Sequence, residues 1–169
     1  MIVGMHPDAP VECVLWESTS GCDLPCLVAH EPVSGVQAHG IEERLRTLGP
    51  VWHFPLSLEA RAVYDVERAQ AKLWELARRP YDLVEAMLAA DIVPEKWRAA
   101  VRDKFGHEHE ARLYCSEMVS VVWKNGLWSV PRLWNAYESQ WSPVALREAA
   151  LKRNTVAKGM YRTGRSTRG

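Results

Sequence analysis

The apolar pattern of this chain changes period once, near Ser57. Before that point short apolar runs ("MIV", "VECVLWES", "PVWHFPL") are separated by proline, glycine and aspartate. The last run alternates, with Trp52, Phe54 and Leu56 on one side and Val51 and His53 on the other, as a strand does. From Ser57, a plausible N-cap, to Arg79 there is no glycine or proline, and Leu58, Ala62, Val66, Ala69, Leu73 and Leu76 form a stripe at helical spacing. Strands first and helices afterwards argue against a wound parallel sheet, in which the two alternate, and for an α+β fold.

The remaining elements fit that order. A turn at "HPDAP" predicts a hairpin of residues 1–5 and 11–17. The stretch 19–35 holds turn formers without a clean period and reads as a loop, with one short strand near Val36. "IEERLRTLG" reads as a helix with Ile41, Leu45 and Leu48 at helical spacing and a glycine stop. Pro80 ends the long helix, and "YDLVEAMLAA" and "PEKWRAAVRDKFG" predict two shorter ones. A helix over 113–124 stops at Asn125-Gly126, and "SPVALREAALKRN" predicts a last one with Ser142 as N-cap and Pro143 at the first helical position.

With 169 residues there is room for one domain with a core, and 47% apolar with 25% charged residues is a globular balance. The 21 basic and 21 acidic residues cancel, so overall charge gives no argument for nucleic acid or an anionic membrane. Six of the basic residues (Lys152, Arg153, Lys158, Arg162, Arg165, Arg168) fall in the last stretch, where there is no acidic one. Residues 153–169 therefore read as a basic, mobile tail, capable at most of a weak contact with nucleic acid or an acidic partner, behind a domain of residues 1–152. No apolar run approaches the about 20 residues that span a bilayer, and "MIVGMHPDAP" has no secretory pattern, so the expected location is cytoplasmic. There Cys13, Cys22, Cys26 and Cys115 are expected as free thiols.

In "LYCSEMVSVVWKNG", Cys115 opens a helix, where unpaired N–H groups and the positive end of the helix dipole favour thiolate over thiol. Val119 and Val122 lie on its face, so it stands at the edge of a buried stripe, and a merely buried cysteine remains the alternative. A nucleophile needs a base and a group to orient that base. Of His6, His30, His39, His53, His107 and His109, His53 points away from the apolar side of its strand and could face a cleft or solvent. His107 and His109 flank Glu108 in what reads as a solvated turn. Glu17 ends an apolar strand, as an exposed end or as a carboxylate aimed into a pocket. Cys22, Cys26 and His30 are spaced by four, but Pro25 interrupts them and structural zinc takes four ligands. No metal is assigned, and with no phosphate-binding glycine loop no cofactor is expected.

"YCSEMVSVVWKNG" followed by "WSPVALRE" resembles the permuted papain-like group of the NlpC/P60 superfamily. "VLWEST" is similar to the strand that supplies the polar third residue of that group's active site, and "GVQ" with "IEERL" to the connection after it. The resemblance covers residues 1–152. It implies a circularly permuted papain-like fold, a small antiparallel sheet or barrel packed on a cysteine-bearing helix. It further implies a cysteine hydrolase or acyltransferase acting on a peptide, amide or acyl ester, with Cys115 as nucleophile and Glu17 orienting the imidazole. The group's histidine stands in an "SHVG" stretch at the start of the strand that continues here as "MIV", so its position would fall just before Met1. Three readings stay open: a start upstream, a substitute in His53 rather than His6, or a catalytically silent binding or structural module.

Overall fold

The computed structural model describes residues 2–5, 13–48, 51–89, 93–105, 113–133, 142–153, 155–157 and 161–163. Strands β1 (Ile2–Met5), β2 (Cys13–Thr19) and β3 (Gly35–Gly40) form an antiparallel sheet in the order β1-β2-β3. In β1 and β2, Ile2 lies opposite Trp16 and Met5 opposite Cys13. In β2 and β3, Val14 lies opposite Gly40, Glu17 opposite Gln37 and Thr19 opposite Gly35. The architecture is α+β, as the order of periods implies.

Strand alternation sorts β2 and β3 into two faces. Val14, Trp16, Val36 and Ala38 point into the core. There they join Leu73 and Leu76 of α3 (Val66–Leu76) and Met118, Val119 and Val122 of α6 (Cys115–Gly126). Trp16 meets Trp74 edge to face, with ring centroids 5.4 Å apart. The opposite face carries Leu15, Glu17, Gln37 and His39, all buried, on the side where α1 (Ile41–Thr47) packs. The outer edge of β3 is covered rather than left open: Leu27 N–H donates to Ala38 O, Val36 N–H to Arg79 O and Arg78 N–H to Val36 O. Gly35 makes this approach possible, because its φ of 133° suits glycine and a Cβ there would overlap the Arg79 carbonyl.

The stretch expected as one helix over 57–79 is two: α2 (Leu58–Val63) and α3. Neither glycine nor proline breaks it. Asp65 does, because its carboxylate accepts from Arg68 N–H and caps α3 while its own N–H donates to Gly126 O. The break resets the helical phase. Ala69, Leu73 and Leu76 are buried as the stripe predicts, whereas Leu58 is 84% and Val66 57% exposed. Ser57 caps α2 through Ala60 N–H. Helices α4 (Leu83–Ala89) and α5 (Glu95–Phe105) follow, and α7 (Pro143–Lys152) begins with the expected Ser142 cap and Pro143.

The tail expected from residue 153 enters the fold instead. Leu56 bridges to Val156, Ser57 N–H donates to Thr155 O, and the Thr155 hydroxyl donates to Leu133 O at 2.5 Å. Thr155 and Val156 are buried, since the strand-like segment before α2 has donors and acceptors that only a neighbouring chain can satisfy. Farther on, β5 (Tyr161–Thr163) pairs with β4 (Val51–His53) in a second, two-stranded sheet. No helix among the described residues is long and apolar enough to cross a membrane.

Candidate functional site

Cys115 is the first residue of α6, as "YCSE" implies, and is half-buried. The first intrahelical bond runs from Met118 N–H to Tyr114 O, and the Tyr114 side chain does not cap the helix. The helix start is fixed by two neighbouring segments, residues 80–82 and β2. Leu113 N–H donates to Pro80 O and Asp82 N–H to Leu113 O, while the Ser18 hydroxyl donates to Leu113 O at 2.6 Å. Cys115 thus lies close to Tyr81 and Asp82. The Tyr81 phenol is held above its ordinary range by burial first, and then by the negative charge that Cys115 and Asp82 can carry.

Glu17 is on the other face of the sheet. Ser18, next in sequence, reaches the α6 start, so alternation turns Glu17 away from it. Its two carboxylate oxygens accept from Arg44 Nε at 2.6 Å and Arg44 Nη2 at 3.1 Å, a bidentate pair whose side chains are only 6% and 11% exposed. That bond is the main reason the Arg44 guanidinium is held above its usual range.

His39 completes this face. Its Nδ1 lies 3.2 Å from Pro25 O, and a carbonyl can only accept, so the proton of the neutral ring sits on Nδ1. Nε2 then carries a lone pair, 3.6 Å from Glu17 Oε1, and has no hydrogen-bond partner although the residue is 1% exposed. Burial pushes the imidazole below its ordinary range, Glu17 opposes that, and burial prevails. Cys22, from the loop after β2, brings its sulfur to the same place: one ligand atom each of Glu17, Cys22 and His39 lie within 4.8 Å of one another. Gln37, directly across from Glu17, buries an amide whose oxygen and nitrogen both lack a partner.

The structure therefore distributes the three expected catalytic residues over three places. Cys115 is at the α6 start, Glu17 is on the opposite face of β2, and His53 is exposed at the end of β4 in the second sheet. The imidazole that Glu17 does approach belongs to His39, and the nearby thiol to Cys22. Cys26 and His30, considered with Cys22 from their spacing, are directed elsewhere. Cys26 is buried with its sulfur accepting from Ala38 N–H, and His30 is exposed in the left-handed region, with φ 61°. His6, His107 and His109 lie outside the described residues. An open groove lined by Glu59, Arg132, Leu133, Glu148, Lys152 and Arg153 holds none of these groups.

His39 and Arg44 were the residues missed. The available signal was the alternation in "GVQAHG", where Gln37 and His39 fall opposite Val36 and Ala38, followed by an arginine in the first turns of the next helix. No family model, no curated protein and no solved structure matches this chain.

Proposed function

We propose that this chain is a cysteine hydrolase of the permuted papain-like type, acting through Cys115 on an amide, peptide or acyl ester. One observation carries the reading: Cys115 is half-buried at the first position of a long helix whose N-cap has no side-chain cap. In such a reaction the sulfur attacks the carbonyl carbon, and a general base takes the thiol proton and returns it to the departing amine or alcohol. Water then cleaves the acyl-enzyme. Backbone N–H groups of the first helical turn supply the electrostatic help that an oxyanion needs.

A second reading, a silent papain-like binding or structural module, is favoured by the placement of Glu17. Its carboxylate is held by Arg44 on the face away from Cys115. One experiment separates the two. The intact chain is treated with limiting iodoacetamide and the alkylated cysteines are quantified by peptide mass spectrometry. An active thiol is alkylated at Cys115 before Cys13, which is exposed, and Cys115→Ser removes hydrolysis of activated acyl esters. Alkylation of Cys13 ahead of Cys115 rejects the enzyme reading in favour of the silent module.

A further inference from the structure

We propose that Glu17, Cys22 and His39 bind one divalent ion of the zinc class, through a carboxylate oxygen, Sγ and Nε2 respectively. The site goes beyond the Cys115 reading and does not depend on it.

Two acceptors that face each other in a buried site repel unless a proton or a cation lies between them. Nε2 of His39 and Oε1 of Glu17 are such a pair, because the Pro25 carbonyl fixes the ring proton on Nδ1. Their 3.6 Å separation fits a shared ion. Ligand bonds of about 2.0–2.2 Å at tetrahedral angles place nitrogen and oxygen about 3.4 Å apart. The Cys22 sulfur lies within 4.8 Å of both ligand atoms and comes from a loop, so a change of side-chain torsion closes the remaining distance.

The surroundings match what such an ion needs. A ligating histidine donates its other ring N–H to a carbonyl or carboxylate, as His39 does to Pro25 O, and a ligating carboxylate is itself hydrogen-bonded, as Glu17 is by Arg44. The guanidinium takes one lone pair on each oxygen and leaves others for a metal. Thiolate and carboxylate together balance the two positive charges. A thiolate and an imidazole select zinc or a similar transition ion over calcium or magnesium, which take oxygen ligands. Three protein ligands leave a fourth position for water. Gln37, across from Glu17, offers that water the buried amide that now lacks a partner.

Cobalt(II) serves as the probe, because thiolate ligation gives it a charge-transfer band in the near ultraviolet that oxygen and nitrogen ligands do not. The reduced, metal-free full chain is titrated with Co²⁺ and then with Zn²⁺. The expected result is one equivalent bound with that band, tetrahedral visible absorption, and displacement of cobalt by zinc. Cys22→Ser, a half-buried loop position that leaves the fold intact by circular dichroism, loses the band and weakens binding at least ~10-fold. Cys115→Ser keeps both. Absence of a thiolate band in the unaltered chain, or its persistence in Cys22→Ser, overturns the site.

Discussion

Replacing Arg44 with methionine probes the polar face of the sheet most directly. The substitution keeps an apolar stem of similar length and removes both bonds to Glu17, at 2.6 and 3.1 Å. Breaking a buried ion pair by removing one partner costs about 3–5 kcal/mol, because the remaining charge stays out of water. The charge left behind is that of Glu17, the less exposed of the two at 6% against 11%, so a loss of at least about 3 kcal/mol is expected for Arg44→Met. Glu17→Gln/Arg44→Met removes the stranded charge and should recover at least half of that loss. Urea unfolding at pH 7.5 in the presence of a chelator measures these three chains and the Glu17→Gln single variant, the four corners of the double-mutant cycle. A single variant within about 1 kcal/mol of the unaltered chain would refute the pairing. So would a double variant no more stable than the single.

The same chains titrate differently with acid. In the folded chain His39 is held below its ordinary value of 6.5, chiefly by burial. The unfolded chain therefore binds that proton more readily, and the stability that neutral His39 contributes is fully present above pH 6.5 and is lost as pH falls below it. Arg44 is one of the charges that disfavour the proton, and Glu17 favours it. Once Arg44 is removed, the loss of stability between pH 7 and 5 should shrink. A steeper loss in Arg44→Met than in the unaltered chain would show that His39 does not sense this pair.

Gly35→Ala should destabilise by well over about 1 kcal/mol in urea unfolding, because φ of 133° is strained for alanine and the new Cβ meets the Arg79 carbonyl. Ser57→Ala removes the α2 cap, whose hydroxyl accepts from Ala60 N–H at 3.1 Å, and should lower the unfolding free energy by about 1 kcal/mol. Val156→Ala removes two buried methyl groups, roughly 0.8 kcal/mol each before any cavity, so a loss of about 2 kcal/mol is expected. No effect there would contradict the docking of residues 155–157 onto Leu56 and Ser57.

The helix starts at Ser142-Pro143 and at Cys115 were legible because their signals are local: a hydroxyl cap, a proline without an N–H to lose, an apolar spacing of four and seven. The break at Asp65 was legible in principle, since an aspartate three residues before Arg68 is a cap, but a run without glycine or proline hides it. The alternation of "GVQAHG" marks a polar face on β3, but the burial of that face and of Glu17 beside it was not legible. Alternation reads polar residues as solvent-facing, and Glu17, Gln37 and His39 are buried under α1 and the loop from Cys22 to Pro25. Their partners are set by register and by tertiary approach, as Arg44 reaching Glu17 shows, and no local spacing encodes that. The tail was misread for a related reason. Its basic residues look solvated, while Thr155 and Val156, which hold it, are too few to make a pattern.

The placement of Glu17 and Ser18 on opposite faces of one strand makes the relation between Cys115 and Glu17 testable without a substrate. If Glu17 orients a base for Cys115, neutralising it slows alkylation of that thiol and shifts the pH at which the rate rises. If alternation isolates it, as the Ser18 bond to Leu113 and the Arg44 bonds to Glu17 require, neither changes. Glu17→Gln alone strands the Arg44 charge, so Glu17→Gln/Arg44→Met is the informative chain and Arg44→Met its control. Alkylation rates at Cys115 from pH 5 to 9 should superimpose for the unaltered chain and the double variant. Cys22, which shares its surroundings with Glu17 and His39, should change its rate in the same experiment. A rate change at Cys115 with none at Cys22 would mean that the carboxylate acts through the sheet toward α6, and the two-faced description of β2 would be wrong.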